Sequence, residues 1–210
     1  FPEVIQKALR MMDIGVHGLD PVAFSFKDIC GELRNATSLR IFAIALALRD
    51  GCSVHEIHQL TGIDPWFIRA LEPIVRMYER LSRSRFPLAE ELFREAKALG
   101  FSDQCIGQLT QASEPAVREA RKRKGIEPHL AQIDTLAAEF PADTNYLYLS
   151  YHATHDDIAP SCQKKIMVLG SGAYRIGSSV EFDWCCVNAV RAAATEGFET
   201  IMVNCNPETV

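Results

Sequence analysis

The sequence lacks a CxxC pair, a long apolar run, a basic excess and a secretory leader pattern, and each absence removes a class of protein. Its seven cysteines, Cys30, Cys52, Cys105, Cys162, Cys185, Cys186 and Cys205, are odd in number and spaced for neither a disulfide framework nor a zinc site. They read as reduced thiols, and a cytoplasmic setting is expected. The apolar runs fall short of the roughly 20 residues that a membrane helix requires, so no membrane partner is expected. A net charge of -5 argues against a general nucleic-acid or anionic-surface binder. The opening FPEVIQKALRMM has neither an initiator Met nor a leader's small-residue cleavage pattern.

With 210 residues and 48% apolar composition, the chain can bury a substantial core in one or two domains. Two grammars divide it. Residues 1 to about 130 read as helices. PEVIQKALRMM places Pro2 at a first helical position. TSLRIFAIALALRDG runs from a cap at Thr37 to Gly51, apolar nearly all round, and predicts a central buried helix. SVHEIHQLTGID, PWFIRALEPIVRMYERLSRS, PLAEELFREAKALG and SEPAVREARKRKG are further helices, bounded by Ser, Asp, Pro or Gly. Pro73 predicts a kink or break in the second of these.

An internal echo runs through this half. At a spacing of 49 residues, Gly51, Ser53, Ile57, Gln59, Leu60, Thr61 and Arg69 match Gly100, Ser102, Ile106, Gln108, Leu109, Thr110 and Arg118. Each copy has the outline of a short helix, a turn and a longer helix. Packed helical hairpins account for it, and a DNA-binding helix-turn-helix is the alternative. The run Arg121-Lys122-Arg123-Lys124 suits the basic last turn of a helix ending at Gly125.

From about 134 the pattern turns extended, around Tyr146, Tyr148 and Tyr151. HATHDDIAPSCQ reads as a polar linker. The expected domains are a helical one at 1–150, a linker at 151–164 and an α/β piece at 165–210. His152, His155, Asp156 and Asp157 are metal ligands by type, but a loop without supporting groups holds a metal poorly, and no metal site is expected. His55 and His58 share a helix face without a third ligand and read as surface residues.

KKIMVLG predicts a short buried strand, SSVEFDWCCVNAVRAAATEG a helix and ETIMVNCN a second strand. Together they form one right-handed βαβ unit with parallel strands. Gly170 and Gly172 give a tight turn at the carboxyl end of the first strand. A dinucleotide-binding oxidoreductase, the other alternative, would place its next glycine at 175; the chain has Arg175 there and Gly177 beyond it. The Lys and Ser/Thr of a phosphate loop are absent too. The turn's chemistry therefore rests on side chains: Arg175 in the loop, Glu181 and Asp183 in the first helical turn, Glu208 after the second strand. Asp183 reads as ordinary helix-start chemistry. Glu181, between Val180 and Phe182, reads as a buried carboxylate paired with a charge.

LGSGAYRIGSSVEFDW followed by TIMVNCNPETV resembles the segment that opens the second half of the carbamoyl-phosphate synthetase large subunit. IQKALRMM, TGIDPWFI, LGFSD and IDTLAAEFPADTNYLY resemble that subunit's helical oligomerisation domain and its exit, so the resemblance covers essentially the whole chain. It implies a mainly helical oligomerisation domain followed by an incomplete α/β unit, the βαβ of a Rossmann-like pre-ATP-grasp domain. It also implies a parent ligase that makes carbamoyl phosphate from bicarbonate, ammonia and two ATP, using Mg or Mn, for pyrimidine or arginine biosynthesis. The ammonia would come from a glutaminase subunit, a fused glutaminase domain or solution. No cofactor and no catalytic residue are expected within these residues, and self-association is expected through the helical half. Mitochondrial location would follow for a eukaryotic ammonia-dependent form.

By the same resemblance, Arg175, Ser179, Glu181 and Glu208 match positions lining the tunnel that carries carbamate between two active sites, and Gly170, Gly172 and Gly177 shape the turn. Ser179 stands where many relatives have Gly, adding bulk and a hydroxyl. A passage that excludes water suits an intermediate that hydrolyses readily.

Overall fold

Pro2 opens the first helix, with Glu3 in its first turn and Arg10 in its last, each placed to oppose the helix dipole. The structure is a computed structural model that describes residues 1–133, 139, 146–159, 161–170, 172 and 180–204, with the side chains of 180–182 left out. It divides into two compact units, Phe1–Pro128 and His129–Val210.

The described part of the first unit is helical: α1 (Pro2–Met11), α2 (Ile29–Arg34), α3 (Arg40–Arg49), α4 (Val54–Thr61), α5 (Pro65–Ser82), α6 (Glu90–Ala98), α7 (Asp103–Thr110) and α8 (Glu114–Arg123). The expected central helix is α3, with Phe42, Ala43, Ile44, Ala45 and Ala47 all buried. Its start differs from the expectation. Thr37 donates its hydroxyl to Glu32 instead of capping, and the helix begins at Arg40 with no side-chain cap. The helix α2 has no counterpart in the sequence reading; a single Asp28 cap and one buried Leu33 give a six-residue helix too little periodicity to be seen. Nor does Pro73 break α5, which runs unbroken for 18 residues. Buried Ile68 and Leu71 before it, and Ile74, Val75, Met77 and Leu81 after it, hold both halves to one core and outweigh the lost backbone bond.

The internal echo is structural and reaches further upstream than the matched residues. The order α3-α4-α5 repeats as α6-α7-α8 at the same offset. Gly51 and Gly100 both take left-handed φ, at +92° and +88°. Ser53 and Ser102 cap the next helices, accepting from the backbone N–H of Glu56 and Cys105. Ile57 and Ile106 are fully buried, as are Ile68 and Val117. The hydroxyls of Thr61 and Thr110 each donate to the carbonyl four residues back at 2.7 Å. The chain ends α4 with left-handed Gly62 and α7 with left-handed Gln111. Helix α1 serves one copy's turn: Arg10 donates to the Gly100 carbonyl at 2.8 Å, and a side chain at position 100 would press into the Glu3 backbone.

In the second unit, β1 (His129–Gln132) pairs antiparallel with β2 (Leu147–Ser150). The polar stretch that follows folds back on this hairpin. The Asp156 carboxylate accepts from Leu130 N–H at 2.7 Å and Asp157 accepts from Gln132 N–H at 2.8 Å, so both serve strand backbone. The remaining elements are β3 (Lys165–Leu169), α9 (Val180–Thr195) and β4 (Glu199–Val203), with β3 and β4 parallel as expected. The β3 strand is not buried, contrary to the sequence reading: Met167 is 58% exposed and Leu169 74%. Among the described residues this sheet has two strands and packs on α9, which leaves one of its faces open.

Candidate functional site

The parallel register pairs Lys165 with Glu199 and Leu169 with Val203, so both strands end at the same level. Gly170 and Asn204 therefore leave the sheet side by side, at the carboxyl edge where ligands of open parallel sheets bind. The Gly170 N–H donates to the Val203 carbonyl at 2.7 Å. A side chain on residue 170 would meet the Asn204 carboxamide and the Val203 carbonyl at 3.1 Å, so close backbone approach is what glycine provides here. At Gly172 the surrounding space is open, and crowding does not explain that glycine.

Helix α9 begins over this edge. Asp183, in its first turn, is completely buried, and its carboxylate accepts a 3.0 Å bond from the Asn204 side-chain amide. Further along, the Cys186 thiol lies 3.8 Å from the Leu169 carbonyl. The sequence reading of Asp183 as ordinary helix-start chemistry is thus corrected. A buried carboxylate that accepts from a neighbouring element ties the helix to the strand exit, and dipole compensation at an exposed helix start does not require burial. The only hint in the sequence was the coincidence of an acid in the first helical turn with an Asn after the next strand. Arg175, Ser179, Gly177 and Glu208 lie outside the described residues. Glu181 falls in the first turn of α9, and its side chain also lies outside them.

The other titratable clusters serve the fold. In the helical unit, Asp103 accepts from Lys97 at 2.7 Å and from Arg121 at 2.8 Å, with Lys97 also donating to the Phe101 carbonyl. Burial pushes the Asp103 carboxyl up, but the bonds from Lys97 and Arg121 prevail and hold it below the ordinary aspartate value. Burial in turn lowers the Lys97 ammonium against the pull of Asp103. Arg121, first of the basic run, is thereby committed inside the protein, and Arg118 pairs with Glu114 within α8. That arrangement takes Arg121 from the cations a DNA-reading helix would present. Cys105 is a poor nucleophile, because burial pushes its thiol up to about 12. His58 is half-buried and bonds the Ile63 carbonyl at 2.8 Å, closing the α4–α5 turn. Among the described residues no group of three or more His, Cys, Asp or Glu is placed to hold a metal, and no helix is long and apolar enough to cross a membrane.

The described fold defines the class: a helical domain followed by a small parallel α/β unit whose two strands end level at one edge. Two family models divide the chain in the same order. The carbamoyl-phosphate synthetase large chain oligomerisation domain matches residues 1–125, and the carbamoyl phosphate synthase preATP-grasp domain matches residues 162–210. Among curated relatives, the multifunctional protein URA2 of Saccharomyces cerevisiae is 47% identical over all of this chain and 10% of its own length. The mitochondrial arginine-specific carbamoyl phosphate synthase large chain of Schizosaccharomyces pombe is 49% identical over all of this chain and 18% of its own. The large chain of Archaeoglobus fulgidus is 42% identical, again over the whole of this chain and 20% of the relative. The chain belongs to the carbamoyl-phosphate synthetase large-chain family. It spans a tenth to a fifth of the length of these relatives. Membership displaces both alternatives, the DNA-binding regulator and the dinucleotide-dependent oxidoreductase.

Proposed function

We propose that these residues join the two halves of a carbamoyl-phosphate synthetase large chain, supplying a self-association domain and part of the wall of the passage that carries carbamate. The observation that carries this reading is the order of the two matched domains, oligomerisation then preATP-grasp, on a helical unit and a βαβ unit. In this reading the oligomerisation domain, helical to Pro128 and followed in sequence by the β1–β2 hairpin, occupies 1–150, the linker 151–164, and 165–210 begins the Rossmann-like pre-ATP-grasp domain of the second half. The parent would phosphorylate bicarbonate with one ATP, displace that phosphate with ammonia to give carbamate, and phosphorylate carbamate with a second ATP. Binding of ATP with Mg or Mn falls to other parts of the longer protein, as does a glutaminase partner that delivers ammonia. These 210 residues would not turn over alone.

Along the strands' carboxyl edge, Arg175, Ser179, Glu181 and Glu208 would line the passage, with Gly170, Gly172 and Gly177 shaping its turn. Carboxylates repel an anionic carbamate. Arg175 would offset them, or carbamic acid would move as the neutral species. In the helical domain, exposed Trp66 packs edge-on against Phe67, ring centroids 5.0 Å apart, and Phe67 helps line an apolar hollow of about 280 Å³. Such a patch on a domain of this family supports self-association there. A cytoplasmic location remains our reading, although relatives include mitochondrial forms.

The coupling test uses the complete parent enzyme. Glu181→Ala should leave bicarbonate-dependent ADP release in place while carbamoyl phosphate falls, raising the ratio of the two above the two expected when all carbamate is delivered. An unchanged ratio removes Glu181 from the passage.

A further inference from the structure

At the carboxyl edge of the βαβ unit a hydrogen bond joins the start of α9 to the chain leaving β4. Asp183 is wholly buried, although most of the described α9 residues around it are exposed or half-exposed. Its acceptor oxygen takes the Asn204 amide at 3.0 Å, across 21 residues of chain. The Asn204 carboxamide lies close over Gly170, where a Cβ would come within 3.1 Å of it. Asp183 sits two residues after Glu181, and Asn204 four residues before Glu208. A brace thus joins the start of α9, where Glu181 lies, to the exit of β4, from which the sequence leads on to Glu208. Fold stability alone does not call for a buried carboxylate here, since an apolar pair of similar volume does as well or better. What a hydrogen bond to a buried side chain adds is a fixed register between the two segments it joins.

We infer that Asp183 and Asn204 are positioning residues that hold the start of α9 and the exit of β4 at the spacing that delivery of carbamate requires. The inference rests on the passage reading above. When the brace is cut, the two segments separate, carbamate meets water and returns to bicarbonate and ammonia, and ATP is consumed at the first site without product at the second. Leaving a buried acceptor without this donor shifts a local equilibrium by about tenfold, so leakage should be plain in steady state.

The test again uses the complete enzyme, with four variants: Glu181→Ala, Asp183→Ala, Asn204→Ala, and the exchanged pair Asp183→Asn with Asn204→Asp, which keeps one donor facing one acceptor. Three quantities are read: ADP released, carbamoyl phosphate formed, and ATP made in reverse from carbamoyl phosphate and ADP. We expect both alanine variants to raise the ADP-to-product ratio at least threefold while reverse ATP synthesis stays within twofold of the parent, and the exchanged pair to restore the ratio. A merely structural loss would lower the forward and reverse reactions together and leave the ratio at its parental value; that result overturns the inference. Should the alanine variants fail to accumulate, Asp183→Leu, which keeps the volume and removes the acceptor, gives the same reading, and an unchanged ratio there also overturns it. If Glu181→Ala uncouples while the Asp183 and Asn204 variants do not, the brace fails and the passage stands. If Glu181→Ala does not uncouple, the passage reading itself fails.

Discussion

Replacing Asp103 with Ala should be among the most damaging single changes in the helical domain. The Asp103 and Lys97 side chains are 7% and 6% exposed, and Arg121 is 12% exposed, so this cluster is screened little by solvent. Removing the carboxylate leaves two buried cations facing each other without Asp103's charge. Breaking one partner out of such a cluster costs about 3–5 kcal/mol. Domains of this size have about 5–15 kcal/mol in all. Urea unfolding of residues 1–128, followed by circular dichroism, gives the measurement, with Glu95→Ala as the comparison. The Arg80–Glu95 pair has the same chemistry but is about half exposed on each side, and should be worth about 0–1 kcal/mol. The double change Lys97→Met with Asp103→Leu should recover much of the loss. A cost for Asp103→Ala near that of Glu95→Ala would refute the reasoning, because burial would then not govern the energy.

The same cluster sets a pH dependence. Asp103 is held below its ordinary value of about 3.9, so its stabilisation is complete above that pH and is lost as the pH falls toward the lower folded-state value; Asp103→Asn should flatten the acid limb of a stability–pH curve. The repeat predicts a contrast between its glycines: Gly51→Ala meets open space and should cost about 1 kcal/mol for its left-handed φ, whereas Gly100→Ala also strikes the α1 backbone and should cost clearly more by the same urea assay. Gln111 holds left-handed φ where the first copy has Gly62, so Gln111→Gly should stabilise by about 1 kcal/mol, read as a raised Tm. Trp66→Ser should weaken self-association by about tenfold or more in a sedimentation concentration series, since buried aromatic anchors dominate such contacts.

How much of this was legible in advance follows from how local each signal is. Capped, periodic helices such as α4 and α5 announce themselves, because Ser53 and Asp64 satisfy backbone donors within two or three residues. The echo at 49 residues was visible for the same reason, as the repeated positions are caps, turn glycines and inward isoleucines. Signals that depend on distant partners were not legible. Thr37 looked like a cap until Glu32 took its hydroxyl, and Pro73 looked like a breaker until packing on both sides kept α5 whole. β3 read as buried because four apolar residues in a row do not reveal how many strands cover them. In the candidate site, the strand–turn–helix–strand plan could be read from glycines and apolar runs. The importance of Asp183 could not, since its partner Asn204 lies on a different element.

The central claim is that the turn after β3 shelters an intermediate in transit and binds no nucleotide. An experimental structure of the complete parent enzyme tests it most directly. Arg175, Glu181 and Glu208 should line one enclosed passage beside the ends of β3 and β4, closed to bulk solvent. Finding the three side chains dispersed on the outer surface, or a nucleotide phosphate seated on the Gly170 turn, would contradict it.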